Sequence, residues 1–205
     1  MMMGKGYSLQ SMIPAKEYAY LDSICTSTIG LPMVMFDNVA PVIIMTIFEG
    51  ASMGLDQAAA GGKVPVLDLY FHDQAKKANK KVIGIETVAE QLGALNALSY
   101  KEQADMLTQE VDSFQVNKNS GTEVLKYYLG QDLDSLAASD DDAQKSEKFY
   151  KVLVLDRNKR MADRMAEFIK KQSTFIAIGA LHLPGDKGVI SLLRKKGFTV
   201  EPVLW

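Results

Sequence analysis

A chain of 205 residues with 47% hydrophobic content is long enough to bury a full core, and reads as an ordinary globular protein. Its net charge of −2 argues against nucleic acid as a partner: Lys76, Lys77, Lys80 and Lys81 are interrupted only by Ala78 and Asn79, with no stacking aromatic, as on a solvated helix face. Cys25 is the single cysteine, which excludes an internal disulfide and any cysteine-based zinc cluster.

In chain order, "MMMGKGYSLQSM" lacks the apolar core of a secretory signal, so the chain as written carries no export address. The longest apolar run, Val39 to Phe48, is half of the roughly 20 residues that cross a bilayer, so no membrane span is expected. Pro41 to Phe48 fits a strand by composition or a buried helix opened by proline, and helix is the expectation. "GASMGLDQAAAGGKVP", Gly50 to Pro65, reads as an exposed loop. His72, in "DLYFHDQAKK", is expected on a helix surface. Leu92, Leu95, Ala97 and Leu98 recur at helical spacing, as do Met106, Leu107 and Val111, then Val124, Leu125 and Tyr128. "ASDDDAQKSE", Ala138 to Glu147, reads as an acidic turn in which Ser139 or an aspartate caps the next helix.

Three segments read as strands: Lys81 to Ile85, Thr174 to Gly179, and the alternating "FTVEPVL" from Phe198, with Pro202 pointing to an edge. The expected fold is therefore α/β, a small mixed sheet flanked by many helices. Lys81–Ile85 and Thr174–Ile178 are its neighbouring strands, and 88–150 forms a helical insertion in one domain spanning 1–205.

The chemistry clusters at the ends of these strands. Thr87 and Glu90 match a capping box, which explains Glu90 structurally. Glu86, between strand end and cap, is either an exposed turn carboxylate or a ligand group of the kind found beyond strand carboxyl ends. In "VLVLDRNKRMADRMAEFIKK", Asp156 fits an N-cap, and Met161, Met165, Phe168 and Ile169 form an apolar stripe. Arg157 lies four residues before Met161, at the head of that stripe, where it needs a carboxylate, carbonyl or anion; a buried salt bridge to Glu86 or Asp156 is the plain structural alternative. Arg160 and Arg164 read as surface charges on the other side. In "FIAIGALHLPGDKGV", Gly179, Pro184 and Gly185 break regular structure around His182. A carboxylate, an imidazole and an arginine suit a hydrolytic metal site, yet catalytic zinc ordinarily takes three protein ligands.

"KKVIGIETVAEQ", "DRNKRMADRMAEFI" and "FIAIGALHLPGDKGVISLLRKKGFTVEPV" resemble, in order and spacing, the TraB/PrgY/GumN family, which includes the Tiki proteases and is distantly similar to erythromycin esterases. "GYSLQSMIPAKEY" is similar to the family's middle section, and Asp68 with Lys80 or Lys81 fits the segment before the first strand. The resemblance implies a metal-dependent hydrolase, a peptidase in the Tiki members, acting on a peptide or a small ester or amide. It places the essential histidine at His182 with Gly179 opening its motif, Glu86 beside it as carboxylate and fellow ligand of a zinc, manganese or cobalt ion, and Arg157 as the cation. Gln91 and Asn158 match family positions without an assigned role. Members of the family resemble one another in a second Gly-x-x-His motif near the beginning, which this sequence does not show. The expectation is a site only partly present in this chain, with weak metal binding. The alternative is a non-catalytic peptide-binding or regulatory protein on the same scaffold. Resemblance to exported bacterial members implies export for a form with a longer beginning.

Overall fold

A computed structural model describes residues 1–52, 67–116, 120–139 and 147–203. In chain order the helices are α1 (Leu9–Met12), α2 (Ala15–Ile29), a 3-10 turn (Met33–Phe36), α3 (Pro41–Ser52), α4 (Leu67–Lys77), α5 (Val88–Leu95), α6 (Tyr100–Val116), α7 (Ser120–Leu129), α8 (Leu133–Ala138) and α9 (Glu147–Tyr150). A π-helical turn (Lys151–Leu155), α10 (Asp156–Lys171), a 3-10 turn (Ala180–His182) and α11 (Val189–Lys195) complete the series. None of these helices is long and apolar enough to cross a membrane.

The chain divides into two compact units, Met1–Val64 with Leu98–Thr122, and Pro65–Ala97 with Glu123–Trp205. In the first, α3 packs on α2 and α6 around Leu9, Leu21, Ile44, Leu107 and Val111. Pro41 opens α3, as the sequence suggests, because the missing N–H costs nothing in a first turn. The next amide, Val42, finds buried Gln103, whose Oε1 accepts at 3.4 Å while its Nε2 donates to the Leu98 carbonyl. A buried amide side chain thus satisfies backbone groups that would otherwise be orphaned. The Gly50–Pro65 loop expectation falls outside the described residues from 53 onward; Gly50 to Ser52 are the last turn of α3. Most of the Ala138–Glu147 turn, residues 140–146, also lies outside them.

The second unit corrects the expected fold class. Among the described residues there is no strand and no sheet; pairing is limited to an isolated bridge between Met2 and Val39 in the first unit. Lys81–Ile85, Thr174–Ile178 and Phe198–Val203 are irregular, so the architecture is helical rather than α/β. The inward–outward alternation that suggested strands is present: Ile176 and Ile178 are half-buried while Phe175 and Ala177 are exposed. Ile85, Ile176, Ile178, Phe198 and Val200 all rest on a core of Met161, Ala162, Met165, Ala166, Val189 and Leu193. Alternation reports which side meets the core, but a strand also needs a backbone ladder with a neighbour, and these segments have none.

Asp156 is not an N-cap. The backbone stays helical from Tyr150 (φ −58°, ψ −43°) through Leu155 and Asp156, so α9, the π turn and α10 form one continuous rod, and Asp156 instead pairs with Lys151 at 2.8 Å. Its inward stripe is Asn158, Met161, Ala162, Met165 and Ala166, the i, i+3, i+4, i+7, i+8 pattern of an amphipathic helix.

Candidate functional site

The segment after Ile85 delivers Glu86 to the head of α10. Its side chain is only 3% exposed, and an arginine fork holds it there: Arg157 Nε donates to both carboxylate oxygens at 3.1 and 3.0 Å, and Nη2 donates to Oε2 at 2.7 Å. Arg157 Nη1 donates to the Leu153 carbonyl at 3.1 Å, inside the π turn, an irregularity that often marks functional positions in helices. Burial pushes the Glu86 carboxyl up, but the Arg157 hydrogen bonds and charge, then Arg160 and His182, outweigh it and hold the group below its usual value. The pairing of Arg157 with Glu86 suggested by the sequence is present.

Arg160 and Arg164 are not the bystanders that the sequence reading made them. Positions 157, 160 and 164 follow i, i+3, i+7 and share one face of α10, flanking the apolar stripe. Arg160 Nη2 lies 3.5 Å from Glu86 Oε1, and its buried Nε has no hydrogen-bond partner among the described residues. Arg164 donates to the Ile85 carbonyl at 2.8 Å and clasps both Glu90 oxygens, at 2.9 and 2.5 Å. Glu90 also closes the expected capping box with Thr87, accepting from its amide at 2.8 Å while the Thr87 hydroxyl accepts from the Glu90 amide at 3.2 Å. Thus α5 is tied by its first turn to the arginine face of α10.

His182 arrives on the 3-10 turn Ala180–His182. Burial pushes its imidazole below its ordinary pKa, helped by the Arg157 charge and opposed by Glu86, which favours the neutral ring. Its Nδ1 lies 2.7 Å from Asn158 Oδ1, and Asn158 Nδ2 donates to the Lys187 carbonyl at 3.0 Å. Among the described residues Nε2 has no hydrogen-bond partner. The loop carrying these groups depends on two glycines. Gly185 has φ +81°, a left-handed conformation that side chains resist, and a Cβ on Gly188 would stand 2.0 Å from the Pro184 carbonyl oxygen. Gly179, by contrast, sits at φ −59°, and an added Cβ would meet His182 Cδ2 at an ordinary 3.7 Å.

The structure therefore brings Glu86, Arg157, Asn158 and His182 into one cluster, with Gly179 at its edge. Gln91 is exposed on α5, and His72 is on the surface of α4, 3.5 Å from Asp73. The sequence reading missed Arg160, Arg164 and the function of Asn158, all legible from helical counting: 158 leads the buried stripe and 160 and 164 follow 157.

A metal centre fits these side chains poorly. Among the described residues no group of three or more His, Cys, Asp and Glu side chains converges on a common point. Both Glu86 oxygens are taken by guanidinium N–H groups, which leaves an ion one imidazole nitrogen where catalytic zinc normally takes three protein ligands. The electropositive surroundings set by Arg157 and Arg160 further disfavour a cation.

The TraB/PrgY/gumN family model matches residues 1–202. The chain is similar to metalloprotease TIKI2 of Xenopus tropicalis, 31% identical over 67% of this chain and 32% of that protein. It is also similar to TIKI1 of Danio rerio, 29% identical over 67% of this chain and 34% of the relative, and to TIKI1 of Homo sapiens, 27% identical over 67% and 33%. The chain spans about a third of the length of these curated relatives. No solved structure matches.

Proposed function

Because the chain belongs to the TraB/PrgY/gumN family, we propose that it is a peptidase-like hydrolase, with Glu86, Arg157 and His182 as its share of the reaction site. The observation that carries this reading is an imidazole whose Nε2 has no hydrogen-bond partner among the described residues, clustered with a buried, arginine-held carboxylate. In such a site His182 Nε2 accepts a proton or serves as a ligand, and the arginines face the oxygen on which negative charge develops. Arg160 is the guanidinium less committed to other groups, since Arg157 already spends three nitrogens on Glu86 and Leu153 while the Arg160 side chain, 36% exposed, approaches Glu86 only at 3.5 Å.

Dependence on a divalent ion enters this reading through the relatives' name, metalloprotease, and the family's second Gly-x-x-His motif is the natural source of further ligands. The test compares this chain with a fusion carrying the Gly-x-x-His segment of a Tiki relative at its beginning. Zinc, manganese and cobalt are titrated into both by calorimetry, and both are assayed on a quenched peptide library. The chain alone is expected to bind these ions weakly. The fusion is expected to bind them tightly and to cleave, with cleavage lost in His182→Ala. A second reading, a peptide-binding protein on the family scaffold, draws on the missing three-ligand group among the described residues. Peptide capture by both forms with cleavage by neither would establish it.

A further inference from the structure

We propose that Asn158 is a positioning residue: it locks His182 as the Nδ1–H tautomer and so keeps the Nε2 lone pair as the nitrogen offered to the site. The proposal rests on His182 being the working imidazole, but its geometry stands apart from any turnover.

The two ends of an asparagine amide have nearly the same shape, so chemistry must decide which way the group faces. Here it does. The Lys187 carbonyl can only accept, so the group 3.0 Å from it is the Nδ2 donor. The carbonyl end, Oδ1, then faces His182 Nδ1 at 2.7 Å, and since an amide oxygen cannot donate, the hydrogen belongs to Nδ1. The reversed amide would set two carbonyl oxygens against each other at 3.0 Å.

Nor can Asn158 turn away to escape the choice. It is 1% exposed and leads the inward stripe of α10, where turning away would break its hydrogen bonds to both the Lys187 carbonyl and His182. The anchoring carbonyl is itself fixed by a loop that needs glycine at 185 and 188. The result is a relay, Lys187 carbonyl to Asn158 to His182, which ends in a proton on the nitrogen that free imidazole side chains favour less.

That last point makes the proposal measurable. The chain has two histidines, so the ring nitrogens of 15N-labelled protein can be assigned with a His72→Gln variant and observed at a pH where both imidazoles are neutral. In metal-free protein His182 should show a protonated, pyrrole-type Nδ1 and a bare, pyridine-type Nε2. Asn158→Asp keeps an acceptor facing Nδ1 at the cost of the hydrogen bond to the Lys187 carbonyl, and should keep Nδ1 protonated. Asn158→Leu should shift the population toward a protonated Nε2 while far-UV circular dichroism stays unchanged. A wild-type His182 protonated on Nε2 overturns the proposal, as does a folded Asn158→Leu that keeps Nδ1–H. Should Asn158→Leu fail to fold, the wild-type and Asn158→Asp spectra decide. A fusion that fails to cleave, together with the expected tautomer in this chain, would defeat the hydrolase reading and leave this one standing.

Discussion

Glu86 is buried and still ionised, a combination that proteins tolerate only where a partner is fixed beside the charge. Arg157 supplies that partner as a planar fork with three hydrogen bonds to the carboxylate, a geometry that lysine could not reproduce. Removing one member leaves the other charge buried without its counterion. Arg157→Met is therefore expected to cost about 3 kcal/mol, the low end for a broken buried pair, since Arg160 remains within reach of Glu86. Glu86→Leu together with Arg157→Met removes both charges and should recover most of that loss. Urea denaturation of the two single variants and the double variant measures the cycle. A loss in the double variant equal to the sum of the two single losses would mean that the pair is not a unit. The pairing itself was legible in the sequence, because an arginine at the head of an apolar stripe needs a partner and Glu86 had no structural explanation. The involvement of Arg160 is equally a matter of helical counting.

Two elements, α5 and α10, are joined through one carboxylate. Glu90 caps α5 by accepting from Thr87 and at the same time receives the Arg164 guanidinium. The hydrogen bonds from Arg164, then those from the Thr87 amide and hydroxyl, lower its carboxyl from an ordinary 4.5 to about 2. A group whose pKa is depressed by folding stabilises the protein above its unfolded value and loses that contribution as pH falls through the folded one. Stability measured by denaturation should therefore decline between pH 4.5 and about 2, and Glu90→Gln should be less stable than wild type at neutral pH, the gap closing across that window. A gap that stays constant down to acid pH would remove Glu90 from the acid transition. Half of this junction could be read from the sequence: Thr87 and Glu90 stand three residues apart, and a capping box is a local pattern. Helical counting puts Arg164 on the face of Arg157, but its partner Glu90 lies far back along the chain, and nothing local announces that pairing. The continuity of α10 was hidden for a related reason. Asp156 looks like a cap, but the π turn carries the helix through it, so the stop signal is overridden by the turn before it.

At the scale of the whole molecule, the sequence reveals which side of each segment faces a core and stays silent on what lies beside it. Ile176 and Ile178 turn inward as their alternation requires, and the helical stripe of α10 begins one residue after Arg157. Pairing between segments is a property of two chains of backbone at once, and three segments read as strands remain irregular. Their outward rows stay open to solvent: Val82 is 48% exposed, Ile83 47%, Phe175 74% and Val203 78%. Phe175 finds a partial cover in Phe71, with ring centroids 5.1 Å apart. Apolar residues exposed on unladdered backbone are an ordinary source of self-association. The chain is accordingly expected to associate as its concentration rises. The double variant Val82→Lys with Val203→Lys should weaken that association while changing stability by no more than about 0.5 kcal/mol, because both positions are exposed and away from the buried cluster. Static light scattering across a concentration series, with urea denaturation alongside, separates the two effects. Association that persists unchanged in the double variant would place the adhesive surface elsewhere, and a large loss of stability would mean that these side chains pack where they are seen to be exposed.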